Sequence, residues 1–210
     1  MEKTQIIDII SILIVLAMAY LSVLYPALLG ILSKLFRKAV RSDSAFAPNI
    51  TIVLSAYNEE RTLARAVESI FASDYPATKI HILIGSDGSQ DRTAEIAREI
   101  ESKDGRVRFV EFGRMGKNLV LNKLIPMAET DIVIFMDADH RPAPDVFSKL
   151  VAPMADDSLG GTIPRVLMTG DDGTDDSGAG SEAFYQRYEA FLRAKESEIS
   201  TTINSIGIYA

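Results

Sequence analysis

Short apolar runs alternating with amphipathic stretches fill the middle of this chain, and no other feature restricts its fold as much. Residues 50–54, 80–84, 107–112 and 131–136 each read as a strand with apolar neighbours on both faces. Between them, 59–72 sets Leu63, Val67, Ile70 and Phe71 on one helical face, 91–102 does the same with Ile96, Ala97 and Ile100, and 117–128 forms a third helix. Pro144 stands where a further helix begins, and 160–168 reads as a fifth strand. An Asp/Gly/Ser-rich loop follows over 170–180, then a last helix over 181–199 with Phe184, Tyr188, Phe191, Leu192 and Ile199 on its apolar side. Strands this hydrophobic, separated by helices, predict an α/β domain with a mainly parallel sheet covered on both faces. In such sheets ligands bind beyond the carboxyl ends of the strands, so the informative residues are those just after each strand.

Ahead of this domain, no charged side chain occurs from Ile9 to Ser33. About 20 apolar residues suffice to cross a bilayer core. The pattern predicts a membrane anchor over 1–41, a linker over 42–49 and the main domain over 50–210. Pro26 and Gly30 interrupt the run, which places the single spanning helix over about 6–25 and an interfacial helix over 27–39. Lys34, Arg37, Lys38 and Arg41 crowd the C-terminal flank, whereas Lys3 on the other side is offset by Glu2 and Asp8. The positive-inside rule then puts the N-terminus outside the cell and the main domain in the cytoplasm. Ala17-Met18-Ala19 resembles a signal-peptide cleavage box, but the apolar run continues well past it.

Composition removes several function classes. A net charge of -7 over 210 residues leaves no basic face for a nucleic-acid partner. The absence of cysteine excludes disulfides, zinc-thiolate sites and thiol nucleophiles.

Chemistry-bearing residues do lie after the strands. The first is followed by Ser55-Ala56-Tyr57-Asn58-Glu59, in which Asn58 suits a helix cap. The second is followed by Gly85-Ser86-Asp87-Gly88-Ser89-Gln90-Asp91-Arg92-Thr93. There Ser89 can cap the next helix, and Asp87, with no evident structural role, can accept from a base N–H or a ribose hydroxyl. The fourth strand runs into Met136-Asp137-Ala138-Asp139-His140. Aspartates two apart at the mouth of a sheet can share one oxygen-preferring cation, Mn²⁺ or Mg²⁺, together with substrate phosphates. His140 is either a further ligand or a solvated loop residue. Arg114 and Lys117 flank a helix start, where the helix dipole already favours phosphate; the alternative is a solvent-facing pair.

Taken together, Tyr57-Asn58-Glu59, Ser86-Asp87-Gly88-Ser89 with Asp91 and Thr93, Gly116-Lys117 with Leu121-Asn122, and Asp137-Ala138-Asp139 resemble glycosyltransferase family 2 in order and spacing. The likeness is to its membrane-bound branch of cellulose, hyaluronan and chitin-oligosaccharide synthases. It implies a GT-A fold and an inverting hexosyl transfer from a nucleotide-diphosphate sugar, a UDP-sugar above all, to a glycan or lipid-linked acceptor at the bilayer. By position it makes Ala56, Tyr57 and Glu59 neighbours of the nucleoside, and Asp87 the acceptor for the base, with Ser89 beside it. Arg114 and Lys117 then lie near base or phosphate, Asp137 near the ribose or metal, and Asp139 on the cation. Ser55 stands where the family often has proline.

The family's acidic general-base motif and its Gln-x-x-Arg-Trp segment do not occur in these 210 residues. The resemblance therefore implies a truncated enzyme whose catalytic base is expected beyond Ala210. Asp171, Asp172, Asp175 and Asp176 are poor substitutes, since a run of that composition is usually a solvated loop. Two further readings remain open on the sequence. One is a non-catalytic, membrane-tethered nucleotide-sugar-binding module or inactive partner subunit. The other is a haloacid-dehalogenase-type phosphatase, which also places Asp-x-Asp after an apolar strand but wants Thr where this chain has Arg141.

Overall fold

The computed structural model describes residues 3–164 and 181–199. In chain order the principal elements are α1 (Lys3–Ala19), a π-helical turn (Tyr20–Leu24), α2 (Tyr25–Phe36), β1 (Ile50–Ala56), α3 (Leu63–Phe71), β2 (Ile80–Asp87), α4 (Thr93–Lys103), β3 (Val107–Phe112), α5 (Lys117–Leu124), β4 (Ile132–Asp137), α6 (Val146–Val151) and α7 (Ser181–Ile199). They fall into two compact units, one holding α1, α2 and α7, the other spanning Val40–Pro164.

In the first unit the helix does not stop near Tyr25, and no separate helix covers 27–39. Helical backbone continues through Pro26 and Gly30 to Phe36. Proline lacks an N–H and its ring crowds the carbonyl four residues back. The π-helical turn just before it widens the ladder, with the Tyr25 N–H donating to the Tyr20 carbonyl five residues back. Gln5–Phe36 is therefore one helix long and apolar enough to cross a membrane. Helix α7 packs on α2, where Leu29 and Ser33 are buried. The Tyr25 hydroxyl donates to Glu196 Oε1 at 2.7 Å, and the Tyr188 hydroxyl to the Leu21 carbonyl.

The second unit is built on a four-stranded sheet in the order β3-β2-β1-β4, every pairing parallel. Ile50 lies opposite Ile80 on one side and Ile132 on the other, and Val107 opposite Ile82. Period-two alternation explains the two-sided burial. Ile52 and Leu54 of β1, Ile82 and Ile84 of β2, and Ile134 and Met136 of β4 share one core with Leu63, Val67 and Ile70 of α3, Ala97 of α4, and Phe147 and Val151 of α6. Val53 and Leu83 point the other way, against Val120 and Leu124 of α5. Ile52, Leu54, Ile82 and Ile84 are wholly buried, each contributing about 1.5–3 kcal/mol of hydrophobic stabilisation. Gly85 permits the close approach of α5, since a Cβ there would stand 2.7 Å from both Val120 Cγ1 and Leu124 Cδ1.

The chain runs outward from β1 to β2 to β3, then returns to place β4 on the other side of β1. That reversal opens a crevice between the carboxyl ends of β1 and β4, the position at which doubly wound sheets bind ligands. The last register pair there is Ser55 with Asp137. Residues 160–164 form no strand, while 165–168 of the expected fifth strand and the whole 170–180 loop, with Asp171, Asp172, Asp175 and Asp176, lie outside the described residues. The last segment, 200–210, lies outside them as well.

Candidate functional site

The loops after β1 and β2 are stitched to each other. Asn58 adopts a left-handed backbone, φ 57°, which asparagine tolerates better than most side chains. Its N–H donates to Ser89 Oγ at 3.2 Å, and its Oδ1 accepts the Gln90 N–H at 2.9 Å. The Glu59 N–H donates to Thr93 Oγ1 at 2.7 Å and the Glu60 N–H to Asp91 Oδ2 at 3.1 Å, while Glu60 Oε2 accepts the Arg92 N–H at 3.2 Å. Asn58 thus caps the neighbouring loop and not its own helix, which begins only at Leu63. Asp91, and not Ser89, bonds the start of α4, one residue ahead of its N-cap Arg92: its Oδ1 accepts the Thr93 N–H at 3.0 Å. Burial pushes the Asp91 carboxyl up, but the bonds from Thr93 and Glu60 outweigh it and hold the group below the usual carboxylate range.

Asp87, at the tip of β2, is 2 % exposed. Its Oδ1 accepts the N–H groups of Met115 at 2.7 Å and Gly116 at 2.9 Å, and Gly116 also reaches Oδ2 at 3.1 Å. The Arg114 guanidinium closes on Oδ2 and lies 3.5 Å over the Tyr57 ring centre. Contrary to the sequence reading, Asp87 has a structural role, because it ties the segment between β3 and α5 to the end of β2. A carboxylate offers about four acceptor directions, so a ligand N–H reaches Asp87 only beside Arg114 or in its place. Burial alone would raise the Asp87 pKa; the Met115 and Gly116 amides and the Arg114 charge lower it below the usual range. Gly88 makes the approach possible, with φ 65° and a would-be Cβ only 2.7 Å from the Arg114 backbone nitrogen. Among the described residues no buried side-chain nitrogen or oxygen lacks a partner.

Across the crevice, Lys117 opens α5 behind Gly116, whose φ of 94° turns the chain into the helix. Its ammonium group contacts Asp137 Oδ1. Asp139 has no partner of its own among the described residues. Asp137, Asp139 and His140 each offer a ligand atom, all within 4.8 Å of one another. Two carboxylates with one imidazole, open to solvent at a sheet mouth, fit a hexacoordinate Mn²⁺ or Mg²⁺ that keeps other ligands from water or phosphate.

Ser55, Tyr57, Glu59, Asp87, Arg114, Lys117, Asp137, Ala138 and Asp139 line one cleft of about 300 Å³. Six of the eight expected nucleotide-sugar residues and both expected metal residues are therefore brought together. The other two stand apart. Ala56 is wholly buried in the main core, because strand alternation turns Ser55 toward the cleft and its successor away from it. Ser89 is taken up in the loop stitching, accepting from Asn58 and from Ser86 Oγ at 2.9 Å. Sequence reasoning named Ser55 only as a departure from proline and Ala138 only as the residue between two acids; the structure adds both to the cleft lining, Ser55 through its register opposite Asp137.

A parallel sheet that gathers carboxylates and two cations at its reversal point defines a GT-A-type domain. The chain belongs to glycosyltransferase family 2, whose sequence profile (Glycosyl transferase family 2) it matches over residues 51–208; this displaces the phosphatase reading. Glycosyltransferase AglE of Haloferax volcanii is 25% identical over 167 residues, covering 75% of this chain and 51% of that protein. An N-acetylglucosaminyltransferase of Mesorhizobium japonicum is 32% identical over 122 residues, 57% of this chain and 28% of that protein. The chain thus spans about half or less of the length of these curated relatives. Among solved structures, the mannosyltransferase PcManGT of Pyrobaculum calidifontis, in complex with GDP-Man and Mn²⁺, superposes with a TM-score of 0.66 at 24% identity, covering 87% of this chain and 50% of that one.

Proposed function

We propose that the cleft binds a nucleotide-diphosphate sugar, foremost a UDP-sugar, through a divalent cation, and that the chain is the donor-binding part of an inverting glycosyltransferase acting on a glycan or lipid-linked acceptor at a membrane. The observation that carries this reading is the convergence of Tyr57, Asp87, Arg114, Lys117, Asp137 and Asp139, drawn from the segments at the carboxyl ends of all four strands, on the crevice where the sheet order reverses.

Each residue contributes to it. Tyr57 and Arg114 form a flat, charged platform for a base, and Asp87 fixes that platform by holding Arg114, Met115 and Gly116. Glu59 and Ser55 border the ribose side. Asp137 and Asp139 hold the cation, with His140 beside them, and Lys117 supplies a positive charge to the diphosphate. When bound, Mn²⁺ or Mg²⁺ offsets the negative charge that grows on the departing nucleoside diphosphate. The helix Gln5–Phe36 crosses the bilayer once, and Lys34, Arg37, Lys38 and Arg41 keep the cleft on the cytoplasmic side.

Calorimetric titration of the detergent-solubilised chain with UDP-, GDP- and TDP-sugars, with Mn²⁺ and with EDTA, tests the proposal. A UDP-sugar is expected to give saturable heat that EDTA removes. No binding of any of these donors in Mn²⁺ would overturn it.

A further inference from the structure

Lys117 sits on the same carboxylate that the proposed cation needs. Its ammonium contacts Asp137 Oδ1, and Asp137 belongs to the only cluster of three metal-capable side chains among the described residues. The neighbouring acid, Asp139, is left without a partner, so Asp137 alone is already neutralised. Lys117 is not placed there by chance of a long, free side chain. Its backbone follows Gly116, whose N–H is fastened to both Asp87 oxygens at 2.9 and 3.1 Å, so the start of α5 is fixed against the end of β2. The pair remains open to solvent, with 54% and 42% of the two side chains exposed, and can therefore separate when a better partner arrives for either group.

We infer that Lys117 is an internal stand-in for the divalent cation: it holds Asp137 until a nucleotide diphosphate draws the ammonium away, and so makes cation binding depend on the nucleotide. This rests on the functional reading above and adds an order to it. An ammonium and a divalent cation repel each other and compete for the same Asp137 oxygens, so the nucleotide-free cleft takes up Mn²⁺ weakly. A diphosphate offers Lys117 a doubly anionic alternative and adds its own oxygens to the cation. The two ligands thus favour each other, and by linkage each raises the affinity of the other by the same factor.

The test measures Mn²⁺ binding to the full chain in detergent from loss of the free-ion electron paramagnetic resonance signal, with and without UDP, for wild type, Lys117→Gln, Lys117→Arg and Lys123→Gln. Lys123 lies on the same helix, away from the cleft, and controls for net charge. An exposed ion pair of this kind is worth a factor of about two to five in an equilibrium constant. Lys117→Gln should therefore tighten nucleotide-free Mn²⁺ binding about two- to fivefold and shrink the gain that UDP brings. Lys117→Arg, which keeps a positive charge beside Asp137, should not tighten nucleotide-free Mn²⁺ binding, and Lys123→Gln should stay with wild type. Unfolding curves that coincide with wild type establish that each variant is folded; should Lys117→Gln not fold, Lys117→Met is held to the same result. Wild type that binds UDP with Mn²⁺ while Lys117→Gln leaves nucleotide-free Mn²⁺ affinity unchanged, or weakens it, overturns the stand-in role alone. The same holds if Lys123→Gln tightens Mn²⁺ equally. Wild type that shows no Mn²⁺-dependent UDP binding overturns the functional reading itself.

Discussion

Replacing Asp87 should damage the fold and the cleft together, in the order Asp, Asn, Ala. Three donors converge on this carboxylate: the Met115 N–H at 2.7 Å, the Gly116 N–H split between 2.9 and 3.1 Å, and the Arg114 guanidinium. Hydrogen bonds to a charged acceptor are worth about 1.5–3 kcal/mol each when buried. Arg114 is more than half exposed, however, so its share falls to about 1 kcal/mol or less. The two amides sit at intermediate exposure and regain water once released, which brings them to about 1 kcal/mol each. Asp87→Ala should then cost about 2–3 kcal/mol. Asparagine can turn its one carbonyl oxygen to the site of Oδ1 and keep both amides, but its NH₂ faces the guanidinium, so Asp87→Asn should cost about 1 kcal/mol. Urea unfolding in detergent followed by far-ultraviolet circular dichroism gives these differences, and amide exchange at Met115 and Gly116 locates them. Because the folded pKa of Asp87 lies below its unfolded value, the ionised carboxylate stabilises fully above about pH 4 and loses that contribution as pH falls through the folded value. The Asn variant should lack this part of the acid dependence. Asn and Ala variants both within about 0.5 kcal/mol of wild type, or unchanged exchange at Met115 and Gly116, would refute the claim that Asp87 holds the segment.

Three other perturbations probe separate parts. Gly88→Ala forces a side chain into φ 65° and to within 2.7 Å of the Arg114 nitrogen, and should cost about 1–3 kcal/mol in thermal unfolding while weakening nucleotide binding. The Arg106 guanidinium lowers Asp104 to about 2, against an opposing push from burial, so stability present above the ordinary carboxylate value should fade between about pH 4 and pH 2. Solvent screening limits that loss to about 1–2 kcal/mol, and an acid titration of Asp104→Asn, which should lack it, measures the difference. For topology, Ser44→Cys in this cysteine-free chain should resist an impermeant thiol reagent in intact cells and react after permeabilisation; labelling in intact cells would reverse the orientation.

Legibility in the sequence depended on the range of the interaction concerned. The four strands of the sheet came through closely, because each rests on a short run dominated by apolar residues: β3 has the expected bounds, and β1 and β2 run two and three residues past 54 and 84. Those extensions are Ser55-Ala56 and Gly85-Ser86-Asp87, polar or small residues that pairing between strands holds straight. Helix starts were set too early, at 59 and 91 where α3 and α4 begin at Leu63 and Thr93. Of the intervening residues, Glu59 and Glu60 spend their amides on the opposite loop, and Asp91 divides its carboxylate between that loop and its own helix, a choice invisible in either segment alone. The cleft was legible as a set of residues at or just after the strand ends, because strand ends can be read from the sequence; the strand order that makes the reversal could not. Its internal pairings were not: Arg114 with Tyr57 and Asp87, and Lys117 with Asp137, join positions far apart in the chain. Pro26 read as a break, yet a wider helical turn upstream absorbs it.

The most direct test of the central claim compares UDP binding by wild type and Asp139→Ala in Mn²⁺. Asp139 is exposed at the mouth of the sheet and has no partner among the described residues, so its loss should leave the unfolding curve unchanged. If Asp139 helps hold the cation that bridges protein and diphosphate, the variant should lose Mn²⁺-dependent UDP binding by roughly tenfold or more and retain only what EDTA-treated wild type shows. A folded Asp139→Ala chain that binds UDP in Mn²⁺ as tightly as wild type would contradict the assignment of this cleft as a metal-dependent nucleotide-sugar site.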